Sequence, residues 1–149
     1  MIKKFLIDGN NLMGKIPELK NISREQKQLS RERLAAMLDR YFAGKKVKAV
    51  LYFDGFAGPA INTSSLSIHY SNSRTADDLI RHDIECAKNP KLLTVVSSDN
   101  SIASFARACS CEIIKSEKMR GELSKKETNI EAEKIKAISN EEIKRLFSA

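Results

Sequence analysis

Short apolar runs, most of them rich in β-branched residues, recur along the chain, and most stop at polar turn residues. Runs of this length and composition are typical of buried strands. The runs end next to residues that favour turns, such as Asp8-Gly9-Asn10-Asn11 and Asp54-Gly55. The pattern predicts strands over residues 2–7, 47–53, 66–70, 92–97 and 111–114.

Helical patterns separate these runs. The first helix is expected to begin at a capping box formed by Ser23 and Gln26 and to end at Gly44, with apolar residues at helical spacing between them. Thr75 and Asp78 form a capping-box variant that opens a second helix, expected to stop near Asn89-Pro90.

Two shorter helices are expected in the second half of the chain. Ile102, Phe105 and Ala106 suit one face of a helix after Asp99. Ser139 and Glu142 form a further capping box, which predicts a small terminal helix that docks on the core.

Strands alternating with helices predict a parallel sheet with right-handed crossovers. The expected fold is α/β, a three-layer α/β/α sandwich around a mostly parallel five-stranded sheet. A length of 149 residues is that of one domain, so residues 1–149 are expected to share one core. Residues 117–149 are expected to form a charged helical C-terminal extension that packs on it.

The composition excludes several protein classes. No apolar run approaches the roughly 20 residues that cross a bilayer, and the N-terminal run is too short for a signal peptide. Three cysteines without a C-x-x-C pair argue against a zinc site or a disulfide framework. We therefore expect a cytoplasmic protein with no membrane partner.

The charge distribution is uneven. The net charge is +7, yet residues 51–100 contain 4 basic and 6 acidic residues. The middle of a basic chain is thus its only acidic part, which raises the question of what those carboxylates do.

Aspartates follow several of the predicted strands. Ligands bind open α/β sheets at the carboxyl ends of the strands, so residues distant in sequence can meet there. The residues in question are Asp8, Asp54, Asp77, Asp78 and Asp99.

Carboxylates brought together repel one another unless they protonate or share a cation, and hard oxygen ligands suit Mg²⁺ or Mn²⁺. Such an ion can activate water for attack on a phosphodiester. For any single aspartate, capping a helix or forming a turn is the simpler interpretation. Caps do not require an acid at each of these strand ends, so the set favours a functional site, with Asp54 its weakest member.

The same residues resemble the NYN domains of the PIN-like nuclease superfamily, particularly the YacP type. The resemblance spans most of residues 2–116. It rests on four motifs in order: FLIDGNN at 5–11, YFDG at 52–55, TADD at 75–78 and VVSSD at 95–99.

The resemblance implies strand order 3-2-1-4-5, a divalent-metal site and endoribonuclease activity on single-stranded RNA. It implies that Asp8, Asp77 and Asp99 are catalytic, and that these three with Asp78 bind the metal. Asn11, Asp54 and Ser98 are expected to support them. The chain departs from the pattern in having Asn10 where an aromatic residue is common and no acid at Ser101.

The expected partner is single-stranded RNA, with a second copy of the chain or a larger ribonucleoprotein as further candidates. Arg74 and Lys15 are the expected substrate-binding residues, because basic side chains near the edge would meet phosphates. The alternative function is a noncatalytic RNA-binding or assembly module with the same fold.

Overall fold

The apolar runs form one sheet in which every neighbouring pair of strands is parallel. The computed structural model describes residues 1–22 and 24–147. The strand order is β3-β2-β1-β4-β5, as predicted. The strands are β1 (Lys4–Asp8), β2 (Lys48–Phe53), β3 (Ser67–Tyr70), β4 (Leu93–Val96) and β5 (Glu112–Ile114).

Six α-helices lie within the described ranges and cover both faces of the sheet. Alternate strand residues point to opposite faces, so Ile7 and Leu51 pack in one core and Leu6 and Val50 in the other. The predicted three-layer α/β/α fold is confirmed. The helices are α1 (Gly9–Met13), α2 (Pro17–Lys20), α3 (Lys27–Phe42), α4 (Ala76–Cys86), α5 (Asn100–Ala108) and α6 (Ser116–Phe147).

The two cores are built from different helices. Side chains of α1, α2, α3 and the start of α6 fill the first, and side chains of α4 and α5 fill the second. Tyr52 of β2 is fully buried in the second core, and its hydroxyl donates to the Asp83 carboxylate of α4. Burial and this hydrogen bond raise the pKa of Tyr52. The hydrogen bond also attaches α4 to the sheet.

Several helix boundaries differ from those expected. The helix α3 begins at Lys27 after a 3₁₀ turn, Arg24–Gln26, and the proposed cap Ser23 lies outside the described residues. Its expected stop is present, because Gly44 adopts a positive φ of 77°. The helix α4 ends at Cys86, not near Asn89-Pro90, since Ala87 is already extended.

The segment after β1 is more helical than the turn residues predicted. Asp8 caps α1 directly at the end of the strand, and Gly9 is its first residue. A Cβ atom at Gly9 would lie 2.5 Å from the Tyr52 carbonyl oxygen and 2.9 Å from the Phe53 ring. Glycine is therefore required here for the close approach of α1 to β2.

The prediction of a separate small helix beginning at Ser139 is wrong, because residues 116–147 form one helix. Ser139 and Glu142 lie inside it, where the preceding residues are good helix formers and leave no break for a cap to fill. Met119 and Leu123 near its start are buried, whereas Ile135 and Ile138 are exposed. None of the helices in the described ranges is both long and apolar enough to cross a membrane.

We predict that Gly9→Ala destabilises the protein by about 3 kcal/mol, because the added methyl group collides with backbone as well as side chains. Urea unfolding monitored by circular dichroism measures the change. Gly121→Ala is the matched control, since nothing lies within 4 Å of a Cβ there. An alanine inside α6 should stabilise the helix by up to about 1 kcal/mol. Equal unfolding midpoints for the two variants would contradict the packing at Gly9.

A candidate active site at the carboxyl edge of the sheet

The carboxylate of Asp8 is buried at the end of the central strand. Its side chain is 8% exposed. One oxygen accepts the Asn11 backbone N–H at 3.5 Å as the cap of α1, and the other accepts the Ser97 hydroxyl at 3.1 Å. The hydroxyl comes from the residue after β4, so Asp8 is held by the neighbouring strand as well as by its own helix.

The environment of Asp8 favours its protonated form. Burial is the main cause and raises its pKa from 3.8 to about 6. Hydrogen bonds from Ser97 and the Asn11 N–H act in the opposite direction, while the charges of Asp54 and Asp99 raise the pKa further. A positive charge placed here would stabilise the carboxylate.

Asp99 lies beside Asp8 at the end of β4. Its backbone N–H donates to the Ser97 hydroxyl at 3.1 Å, so one hydroxyl oxygen joins the two aspartates. Its carboxylate caps α5 by accepting the backbone N–H groups of Ser101 at 2.8 Å and Ile102 at 3.1 Å. These contacts fix the carboxylate against the N-terminus of α5.

Asp54 completes the group of charges that act on Asp8. It follows β2, its backbone N–H donates to the Asn10 amide oxygen at 3.0 Å, and its carboxylate accepts the Ala76 N–H at 2.7 Å. The turn with Gly55 is present, since Gly55 has a φ of 89°. Asp54 therefore connects the ends of β1 and β2 with the N-terminus of α4.

The loop after β2 is supported from below by Arg31 of α3, which is only 3% exposed. Its guanidinium donates to the carbonyl oxygens of Asp54 at 2.5 Å and Phe56 at 2.9 Å. It also lies 5.3 Å from the Phe53 ring centroid and 5.2 Å from that of Tyr70. Arg31 thus fixes the backbone that carries the Asp54 carboxylate.

Asp77 lies on the first turn of α4, and its carboxylate, unlike those of the three aspartates above, is paired with a cation. It accepts from Arg81 Nε at 2.9 Å, one helical turn along. Asp78 is exposed, and its backbone N–H donates to the Thr75 hydroxyl at 3.1 Å, which is the predicted cap. The structure places both residues at the helix end that Asp54 contacts.

Asn11 and Ser98 attach the start of α6 to this edge. The Asn11 amide oxygen accepts the Ser98 N–H at 2.9 Å and the Ser116 hydroxyl at 2.7 Å. The Ser98 hydroxyl accepts the Ser116 N–H at 2.9 Å and donates to Glu117 at 2.6 Å. These bonds hold the loop between β4 and α5, which carries Asp99, against α1 and α6.

The expected substrate-binding residues differ in their surroundings. Lys15 Nζ lies 3.2 Å from the Glu117 carboxylate, so an acid of α6 already neutralises it. The Ser98 hydrogen bond is the main cause that lowers the pKa of Glu117 to about 2, with its own N–H and Lys15 contributing. Arg74 is exposed in the turn before Thr75, and its backbone N–H donates to Ser71 at 3.0 Å.

The donors at this edge suit a hard cation. Within residues 1–22 and 24–147, no three His, Cys, Asp or Glu side chains form a cluster that could hold a metal ion. Mg²⁺, however, commonly uses one or two carboxylates and completes its shell with water and phosphate oxygens. Asp8 and Asp99 offer only carboxylate oxygens as ligands, and the charge of Asp54 also acts on Asp8. Carboxylate ligands of this kind fit Mg²⁺ or Mn²⁺.

Several residues of the site were missed from the sequence. Ser97 occupies the position directly after β4, where a polar residue in an apolar run is a signal. Arg81 stands four residues after Asp77, the spacing of a helical ion pair. Asn10, Arg31 and Glu117 gave no such signal, because their partners are distant along the chain.

Comparisons with known proteins bear on the family and on the fold. Residues 5–148 match the YacP-like NYN domain. The fold is similar to the crystal structure of Rae1 (YacP) from Bacillus subtilis, with a TM-score of 0.76 and 20% identity over 99% of this chain and 88% of the other. Its W164L mutant gives a TM-score of 0.76 and 19% identity over 93% and 85%. No curated protein matches the sequence.

We predict that Asp8→Asn stabilises the metal-free protein at neutral pH. The folded-state pKa of Asp8, about 6, lies above its ordinary value of 3.8, so the wild-type protein loses stability as the pH rises from about 4 through about 6. Asparagine retains an acceptor and never ionises. The gain should be near zero below about pH 3 and about 3 kcal/mol above about pH 7.

Urea unfolding in chelator across this pH range measures the effect. Glu85→Gln, at an exposed position of α4, is the matched control for the loss of one carboxylate. A gain for Asp8→Asn that does not grow with pH would contradict the buried, charge-repelling setting of Asp8.

We also predict that Arg31→Lys destabilises the protein by about 2 kcal/mol, because an ammonium group cannot reach two carbonyl oxygens while stacking on two rings. Arg107→Lys, exposed on α5, should be close to neutral. Unfolding midpoints in urea compare the two variants. Equal stability would show that the buried guanidinium contributes nothing specific.

Proposed function

The chain belongs to the YacP-like NYN domain family, a family of PIN-like nucleases, and from this we propose that it is a metal-dependent endoribonuclease of single-stranded RNA. The proposal is carried by the acids around the buried Asp8 carboxylate at the carboxyl edge. The Ser97 hydroxyl bonds both this carboxylate and the Asp99 backbone N–H, and the charges of Asp54 and Asp99 both act on Asp8.

We assign the metal to Asp8 and Asp99, with Asp54 beside them. On the first turn of α4, Asp78 is a further ligand candidate, whereas the Asp77 carboxylate is paired with Arg81. When bound, Mg²⁺ or Mn²⁺ lowers the pKa of a coordinated water and neutralises charge on the phosphate oxygens. Ser97 orients Asp8 and Asp99 relative to one another through its hydroxyl.

The rest of the edge keeps these side chains in place. Asn11 and Ser98 hold the loop between β4 and α5, and Arg31 holds the backbone at Asp54. A preorganised arrangement of this kind lowers the cost of orienting reactants at the site. RNA as the substrate agrees with the family and with a net charge of +7, which attracts a polyanion.

We propose a single strand as the substrate. The carboxylates lie at strand ends and helix N-termini, where an unpaired backbone can bring one phosphate close to them. The family relation supports the same assignment. Exposed Arg74, in the turn before α4, is the basic residue proposed to contact the RNA backbone beside the acids.

We predict that Asp8→Asn and Asp99→Asn each lower Mg²⁺- or Mn²⁺-dependent cleavage of single-stranded RNA by about a thousandfold while the protein stays folded. Asp54→Asn should lower it less, by about tenfold, since Asp54 is proposed to act on the site by its charge beside the two metal ligands and not as a ligand itself. Cleavage of end-labelled RNA, with and without chelator, measures the loss. Glu85→Gln should retain full activity.

Cleavage that persists in chelator or in both Asp8→Asn and Asp99→Asn would refute the proposed active site. Wild-type protein that binds RNA but never cleaves it, at any tested concentration of either metal, would instead identify a noncatalytic RNA-binding module. A DNA strand of the same sequence in the same assay determines whether the 2′-hydroxyl is required.

A further inference from the structure

Arg81 of α4 links two helices at the carboxyl edge. Its Nε donates to the Asp77 carboxylate at 2.9 Å, and its Nη2 donates to the Ser101 hydroxyl of α5 at 2.5 Å. Its guanidinium lies 5.0 Å from the centroid of the Phe105 ring. Three contacts from two helices therefore fix the position and the plane of this cation.

The ion pair divides the carboxylates of the edge into two parts. Asp77 has a cation 2.9 Å away, whereas the charges that act on Asp8 are those of Asp54 and Asp99. One side of the edge is thus strongly negative and suited to a metal ion. On the other side a fixed guanidinium offsets the charge of Asp77.

Arg81 retains hydrogen-bonding capacity. A guanidinium has five N–H groups, and the described contacts of Arg81 use Nε and one group of Nη2. Within the described residues its Nη1 makes no hydrogen bond, and the side chain is 29% exposed. The unused edge of a planar, oriented guanidinium matches two oxygens of a phosphodiester.

We propose that Arg81 forms a phosphate-binding subsite for the RNA backbone, beside the carboxylates and separate from them. The proposal rests on RNA being the substrate. Asp77 and Ser101 hold the guanidinium, and Phe105 sets its plane, so that its free edge receives a phosphate next to the one at Asp8 and Asp99. RNA then enters the site with a defined direction, from the α4–α5 side toward the end of β1.

Equilibrium binding of fluorescent single-stranded RNA in chelator tests the subsite without any cleavage. Removing Arg81 also exposes the Asp77 charge, so the informative comparison is Asp77→Asn against Asp77→Asn with Arg81→Met. Both variants lack the Asp77 charge, and methionine keeps an apolar stem against Phe105. Anisotropy titrations at several salt concentrations give the affinity and its salt dependence.

We expect Arg81→Met in the Asp77→Asn background to weaken binding by about tenfold and to reduce the slope of log K against log salt by about 0.7, the value for one phosphate of a single strand. Ser101→Ala removes a tether but no charge, so its slope should equal that of the wild type. Arg107→Met, at the far end of α5, should also leave the slope unchanged.

Equal slopes for the two Asp77→Asn proteins, with both folded by circular dichroism, would overturn the proposal and leave Arg81 as a structural link between helices. If the double variant does not fold, Arg81→Lys in the same background replaces it. Lysine keeps the charge but not the fork, so weaker binding with an unchanged slope supports the subsite, and unchanged binding overturns it. Absence of cleavage by the wild type would refute the nuclease alone.

Discussion

The burial of Asp8 at the end of the central strand is the constraint on which the rest of the site depends. β1 lies between β2 and β4, so the residues after all three strands meet around one carboxylate. Water is largely excluded there, and the neighbouring negative charges raise the cost of ionising it. A carboxylate in such a place is costly for the fold and useful for holding a cation, a combination typical of functional sites.

The supporting contacts follow from that constraint. Ser97 donates to Asp8 and accepts from Asp99, so a single hydroxyl sets the relation between two strand ends. Gly9 lets α1 approach β2 closely enough for Asp8 to be its cap. Arg31 of α3, which packs in the same core as α1, holds the loop of Asp54. From the other face, the N-termini of α4 and α5 donate to the carboxylates of Asp54 and Asp99. The acids are thus fixed by both layers of helices.

The edge is also asymmetric. Asp77, on the same helix end that Asp54 contacts, is paired with Arg81, and Ser101 accepts from that arginine. The sequence lacks an acid at Ser101, and in the fold this position serves the arginine instead. Lys15 is likewise paired with Glu117 of α6. The charged groups along the edge therefore divide into acids without a cationic partner and neutralised pairs.

The sequence by itself determined the strands of the sheet and most of the acidic residues of the candidate site. Runs such as residues 47–53 identify strands because β-branched composition and length are local properties, and Asp8, Asp54 and Asp99 follow strands directly. The expected terminal helix at Ser139 failed for a related reason, since a cap cannot be distinguished from a helix interior without knowing whether the helix has already begun.

Only the tertiary structure decided how the acids divide. Asp54, the weakest candidate in the sequence, acts directly on Asp8, whereas Asp77 is bound to Arg81. Ser97, Arg31 and Glu117 joined the site through partners far along the chain. Apart from the Asp77–Arg81 pair, whose spacing is local, burial and contacts of this kind depend on distances across the folded chain, and local patterns contain no information about those distances.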